Sequence, residues 1–460
     1  MAAVVGLTLA WLGVIPFLLM LAVWYPPIWT YMDENIYVGL AHVLRHGTIY
    51  ADQAGIQIPF LFWNGKHLVP QYPLGMPLLI AGISALGWQT IFLANAAVLL
   101  LGFFFFMRWL RAEGLNPCYA WLYLYHPTLV FYSRTVMADL LCMLIVFACC
   151  WYFRQKRYLL AGLLAGISPH TKITGALLLP VLAVAGAARK DRWAVLQKLG
   201  VGALPGLAML LLYNRFTAGH FLVSVYTLTG LEPLSFTHWR RNLVLFAQSL
   251  FLIYPLMPLA LCIGWKRFRL PLAFIALFVT FHLCVPSTWI TGNQWSAWSQ
   301  RLVLQSRYLL PVIPFLLLMY AYGLDRLSKG RAARWLGLVL VPLLLSAGLI
   351  HFKHQEYLRE LRSFQKTLYE TVPEQSGLLV NYDALRLMND IEGKRPWTFV
   401  SNPKSLPLPP PGKLVFYSEL VQHYGNRPIE NSSVPMQLIA HKEGKLASLS
   451  IYRLSEEPQP

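Results

Sequence analysis

Carboxylates are scarce in the first 350 residues of this chain, which makes each of them a candidate for chemistry. Eight occur there: Asp33, Glu34, Asp52, Glu113, Asp139, Asp191, Glu232 and Asp325. Glu113, Asp191 and Asp325 stand close to arginines and need no catalytic account. Asp33 and Glu34 differ. They are adjacent in Tyr31-Met-Asp-Glu-Asn-Ile-Tyr37, just after the first long apolar run. Ionisable groups at an apolar boundary are costly and often functional. A carboxylate there can take the proton of a hydroxyl as a general base. It can equally cap the following helix, since Asp is favoured at helix starts. Position alone does not separate the two readings.

Those residues must be carried by apolar elements. The chain has 460 residues, 57% hydrophobic and 13% charged. Soluble domains hold about 25% charged residues, so a soluble fold this apolar would leave its surface uncovered. Uncharged blocks approaching about 20 residues, such as 74–107 and 335–350, read as membrane spans. The expected fold is a polytopic α-helical membrane protein with about eleven transmembrane helices and a small C-terminal α/β domain outside the membrane. The formal net charge of +18 sits in the short loops between apolar runs. That distribution fits topology and lipid phosphate, and no basic face on a soluble domain points to nucleic acid.

Five basic clusters set the orientation: Arg108 with Arg111; Arg154, Lys156 and Arg157; Arg189, Lys190 and Arg192; Lys266, Arg267 and Arg269; and Arg326, Lys329, Arg331 and Arg334. With all five inside, the N-terminus is cytoplasmic and the C-terminus extracytoplasmic, as in an inner-membrane protein. The stretches 158–171 and 173–188 are short, and joining them at Pro169 would invert everything downstream, against the positive-inside rule. Residues 1–351 form the membrane part. Its first outer loop, about 25–87, is long and proline-rich, with 35–44 and 76–86 placed to lie at the interface as short helices. A second long loop covers about 216–242. The six cysteines lie in or beside apolar runs and read as packing residues. Residues 352–460 are charge-balanced. Strands are expected at 377–381, 397–400, 413–417 and 448–453, a helix at 384–391 and a proline-rich linker at 403–411. Asn431-Ser-Ser433 is a sequon of the glycosylation type.

On this topology the outer-side cations are Arg134, Lys172, Arg240, Arg241, Arg301 and Arg307. Arg grips phosphate oxygens with two parallel bonds, and Lys acts as a point charge. Either can instead snorkel to the interface. His170, His220 and His238 lack the spacing of metal ligands.

The order of several short motifs resembles the membrane-embedded C-type glycosyltransferase superfamily, nearest its protein O-mannosyltransferase and aminoarabinose transferase group. An Asp-Glu pair after the first span is followed by Tyr37 and Ala41. Gln71-Tyr-Pro-Leu-Gly-Met-Pro-Leu78 resembles the approach to the second span. Ser133-Arg-Thr-Val-Met-Ala-Asp139 resembles a later junction between spans. Gly162-Leu-Leu-Ala-Gly166 with Thr171-Lys172 resembles a Gly-rich span ending in Lys, and Ser306-Arg-Tyr-Leu-Leu-Pro311 a late Arg-Tyr span. The resemblance runs through about residues 1–350 and leaves the tail uncovered.

It implies an inverting transferase that moves a sugar from a polyprenyl-phosphate donor to an acceptor hydroxyl at the outer face, the acceptor being a lipid, glycan or protein. It implies Asp33 as catalytic base, with Glu34 orienting the acceptor or assisting a metal. Lys172 and Arg307, with Arg134 and Arg301, are implied at the donor phosphate, and Tyr37, Tyr72 and Asp139 in the substrate site. Some relatives carry an acidic-basic pair where this chain has Gln71 and Tyr72, so the divalent metal those relatives bind has no counterpart there and the metal requirement stays open. Two rivals remain: a transporter or flippase of lipid-linked sugar, which would place polar groups at mid-span, and a non-catalytic envelope assembly subunit.

Overall fold

The computed structural model describes residues 8–23, 28–31, 33–225 (less 55, 57 and 60), 228, 235–251, 257–285, 306–327, 332–388, 397–400, 406, 409, 413–422 and 434–455. Arg301, Glu232, most of the 403–411 linker and the Asn431 sequon lie outside these residues. The membrane part is helical. In chain order it runs α1 (Val14–Val23), α2 (Asp33–Arg45), a small hairpin of β1 (Leu61–Trp63) and β2 (Leu68–Pro70), α3 (Gly75–Ile83) and α4 (Ala94–Ala112). Then come α5 (Pro127–Tyr132), α6 (Asp139–Arg154), α7 (Tyr158–Thr171), α8 (Leu178–Ala187) and α9 (Arg192–Ala218). It closes with α10 (Trp239–Phe251), α11 (Met257–Gly264), α12 (Arg269–Leu283), α13 (Ile313–Leu327) and α14 (Ala332–Thr371).

Four helices among the described residues are long and apolar enough to cross a membrane: Trp88–Ala112, Arg192–Ala218, Arg307–Leu327 and Leu338–Thr371. Thr8–Val23, Gly75–Leu86, Ile173–Ala187 and Arg269–Leu283 are apolar but shorter. The expected count of eleven is therefore not reached by length and composition. The reason is local. The stretch 115–132 is cut into short pieces, with Pro127 opening a new helix behind His126, whose ring accepts the Thr128 N–H. Proline sets φ for a first helical turn and has no N–H to extend the previous one. Of the apolar run near 243–264, residues 252–256 lie outside the described residues. The short helices expected at 35–44 and 76–86 are present as α2 and α3.

One apolar core joins α1, α4, α6, α12, α13 and α14, with aromatics such as Phe103, Phe106, Phe147 and Phe315 at its centre. Helices α7 and α9 meet differently. Gly162 and Gly166 of α7 face Gly202 and Gly206 of α9 with no room for a side chain. A Cβ at Gly166 would lie 2.3 Å from the carbonyl oxygen of Ala203, and one at Gly202 would lie 2.2 Å from that of Leu159. Small residues at helix spacing let two backbones touch, the usual device where water cannot drive helices together. Gly166→Leu is therefore expected to destabilise the protein by at least the ~1–3 kcal/mol of an overpacked core. Gly200, whose Cβ would meet nothing within 4 Å, is the control. Thermal unfolding in detergent separates them: equal midpoints for Gly166→Leu and Gly200→Leu would mean the helices are free to part.

The tail holds a five-stranded sheet of β3 (Gly377–Val380), β4 (Trp397–Phe399), β5 (Val415–Gln422), β6 (Met436–Glu443) and β7 (Ala447–Leu454), in the order β4-β3-β5-β7-β6. The first three strands are parallel, and β7 pairs antiparallel with β5 and β6. Four strands sit where the sequence pattern puts them. The fifth, β6, is an edge strand whose polar and charged residues (His441, Lys442, Glu443) hide the alternation; such charges also protect an edge from pairing. The expected helix at 384–391 is only a 3-10 turn at Ala384–Leu387, with the remainder outside the described residues. Residues 351 and 352 lie inside α14, which continues from the bundle into the tail and packs Leu358, Leu361, Phe364 and Leu368 into the sheet's core together with Ile28. Trp29 donates its indole N–H to the carbonyl of Met388, and Asn35 donates to that of Leu385. The sheet is thus tied to the loop that begins α2.

Candidate active site

Four chain segments bring four charges together. Asp33 is the first residue of α2, and Asp139 the first residue of α6. Lys172 follows the last residue of α7, where the chain turns extended. Arg307 lies in the 3-10 segment Ser306–Val312 that leads into α13. The Arg307 guanidinium bridges the two acids, 3.1 Å from Asp33 and 3.3 Å from Asp139. Lys172 Nζ donates to the other oxygen of Asp139 at 2.5 Å. The Asp139 side chain is only 2% exposed, whereas Asp33, Lys172 and Arg307 keep 24%, 20% and 19% of their surface. Asp139 therefore acts as an internal anchor, and the other three keep partial contact with solvent.

Each position has a local cause. Helix α7 contains Pro169, which has no N–H for the carbonyl of Ala165; the Ser168 hydroxyl donates to that carbonyl instead at 2.8 Å. The helix so completed stops at Thr171 and releases Lys172 toward Asp139. The turn before α6 is clamped by Asn95 of α4, whose amide donates to the carbonyls of Thr135 and Met137. Aromatic rings wall the cluster. Arg307 sits 5.5 Å from the Tyr31 ring and 5.8 Å from the Tyr308 ring, and Lys172 sits 5.1 Å from Tyr308. The Tyr31 and Tyr132 hydroxyls share a hydrogen bond of 3.0 Å. Tyr382 of the tail, about half exposed, lies near enough for Asp33 and Arg307 to act on its hydroxyl.

The other expected site residues lie elsewhere. Glu34 is 1% exposed and faces the protein. Its carboxylate accepts the backbone N–H groups of Thr30, Tyr31 and Val136 at 2.6, 3.1 and 2.6 Å. It welds the start of α2 to the turn before Asp139. Arg134 is buried and donates to His351 of α14. Tyr37 packs its ring on Tyr72 at 4.8 Å, a wall between α2 and the loop before α3. Among the described residues no group of three or more His, Cys, Asp or Glu is arranged to hold a metal ion.

Burial pushes the Glu34 carboxyl up to about 7 from its ordinary 4.5, against the three N–H donors, which favour the charged form. A carboxyl raised in the folded state lends stability below about 4.5 that is lost as pH rises through 7. Glu34→Gln replaces one acceptor oxygen by a donor, leaving a buried N–H unsatisfied at ~1–3 kcal/mol. The wild type should therefore unfold at higher temperature, and its lead should shrink from pH 4.5 to above 7. A midpoint and pH profile unchanged by the substitution would remove Glu34 from this positioning role.

No protein-family model and no curated protein matches the sequence. The fold has solved counterparts. The apo crystal structure of ArnT from Cupriavidus metallidurans superposes with a TM-score of 0.60 at 13% identity, over 97% of this chain and 99% of that one. The chain has the ArnT fold. The structure of ArnT bound to undecaprenyl phosphate matches equally, with a TM-score of 0.61 at 13% identity over 96% and 97% of the two chains. The ArnT-like architecture extends through both the helical bundle and the sheet domain, and the sequence resemblance to the aminoarabinose transferase group is met at the level of the fold.

Proposed function

We propose that this chain is a membrane glycosyltransferase that moves a sugar from a polyprenyl-phosphate carrier to an acceptor hydroxyl, with inversion, at the outer face of the membrane. The observation that carries this reading is the meeting of two largely sheltered cations, Lys172 and Arg307, on the buried anchor Asp139, with the partly exposed carboxylate of Asp33 paired to Arg307. The undecaprenyl phosphate held by ArnT supports the same carrier chemistry here.

The steps follow from charge. The donor phosphate enters between Lys172 and Arg307 and shares the guanidinium that otherwise pairs with Asp33. Asp33 is then free to accept the acceptor's hydroxyl proton. The acceptor oxygen forms a bond to the anomeric carbon as the bond from that carbon to the phosphate oxygen breaks. The electron pair leaves on the polyprenyl phosphate, where the two cations hold the charge. A phosphate already leaves as an anion, so the departing side needs cations more than it needs an acid. The oxocarbenium-like transition state is favoured by the nearby carboxylates.

A transporter or flippase would use the same lipid but make no bond. The discriminating experiment supplies purified protein with undecaprenyl-phosphate sugars and a mixture of lipid, glycan and peptide acceptors, then follows release of undecaprenyl phosphate and the anomeric configuration of any product by NMR. Transfer with inversion is expected. Donor binding with no bond cleavage for any acceptor would favour transport, and retained configuration would exclude the single displacement.

A further inference from the structure

At the far end of α6 from Asp139 lies a second cationic site that the transfer chemistry does not use. The helix begins with Asp139 and ends with Arg154, so at ~1.5 Å per residue the two ends are roughly 22 Å apart. There a cleft of about 680 Å³ opens between the ends of α4, α6 and α8 and the start of α12. Three of the basic clusters seen in the sequence converge on it, supplying Arg154, Arg189, Lys266, Arg267 and Arg269, against a single carboxylate, Glu113. Glu113 is buried, its side chain 3% exposed, and holds two of the cations in place: Arg154 at 2.6 Å and Arg267 at 2.8 Å. Two guanidinium groups are also set on aromatic rings, Arg154 on Trp109 at 6.0 Å and Arg189 on Phe153 at 5.6 Å. The remaining wall is apolar, with Val184, which is 72% exposed, Leu277 and Phe268.

We propose that this cleft binds the phosphate headgroup of an anionic membrane phospholipid, with an acyl chain along Val184 and Leu277. Basic residues in short loops commonly serve only to orient a protein in the membrane. Such residues need neither a cavity nor a buried carboxylate that fixes two of them. A soluble anion would be served by the cations alone; the exposed apolar wall beside them matches a ligand that is charged at one end and apolar along its length. The excess of cations over the one carboxylate calls for a net negative headgroup rather than a zwitterionic one.

The test uses the full-length protein in nanodiscs of phosphatidylcholine containing one tenth phosphatidylglycerol, with retained lipid counted by native mass spectrometry. The wild type is expected to keep a phosphatidylglycerol. The combined Arg189→Gln, Lys266→Gln and Arg269→Gln variant leaves the Glu113 pairs intact and should lower that affinity by about a hundredfold, from the usual contribution of each basic residue at a membrane surface. Val184→Trp, which fills the cleft and keeps every charge, should also lose the lipid; it decides the matter if the triple variant fails to fold. Equal retention in wild type and Val184→Trp would overturn the site, as would equal retention of phosphatidylcholine. Displacement of the lipid by millimolar inorganic phosphate would overturn its lipid character.

Discussion

Asp33→Asn is expected to slow sugar transfer by about 10²–10⁴-fold, the usual share of general-base catalysis, while donor binding stays nearly intact. Asparagine keeps the shape of the carboxylate and one oxygen for the Arg307 guanidinium 3.1 Å away. It loses the basic oxygen that takes the hydroxyl proton. Donor affinity should hold because Lys172 and Arg307 remain anchored by Asp139. Turnover and donor binding are measured separately, by single-turnover transfer and by titration with undecaprenyl phosphate. Near-normal turnover in Asp33→Asn would take the base away from Asp33.

The second large effect concerns Asp139. It is the buried member of the cluster and the one contact common to both cations. Asp139→Asn removes its charge and leaves Lys172 and Arg307 repelling each other across a partly sheltered gap. Breaking a buried ion pair typically costs ~3–5 kcal/mol; the low end, about 3 kcal/mol, is expected because each cation keeps some contact with solvent. Thermal unfolding in detergent should show the loss. Added undecaprenyl phosphate should restore more stability to the variant than to the wild type, since its phosphate supplies the missing negative charge. A variant as stable as the wild type, or one indifferent to the lipid, would show that Asp139 does not organise the cations.

Scarcity made part of this site readable. In a chain with so few acids before residue 350, Asp33 stands out by position, while it is the family resemblance that points to Asp139, Lys172 and Arg307. Their meeting point is tertiary and had no signature in spacing. Glu34 shows the limit. Beside Asp33 in the sequence it looks like a second acid of the site, but the first turn of α2 points it inward. One of its three donors, the Val136 N–H, is 102 residues away. The rings of Tyr31, Tyr132 and Tyr308 were equally hidden, since 23 tyrosines offer no basis for choosing three. In the fold, apolar content identified the bundle but not its breaks. A run can be apolar throughout and still be interrupted by Pro127, because burial follows side chains while helix continuity follows backbone hydrogen bonds.

Helix α14 runs from the bundle into the core of the sheet domain. Its 40 residues, with Pro342 among them, span roughly 60 Å at about 1.5 Å per residue. It is fixed at its base in the bundle and carries the sheet at its top. The Trp29 and Asn35 hydrogen bonds, with the Thr30 hydroxyl against His354, brace that top against the loop before Asp33. The tail is therefore held against the loop that leads into Asp33, and it carries Tyr382 within electrostatic reach of Asp33 and Arg307.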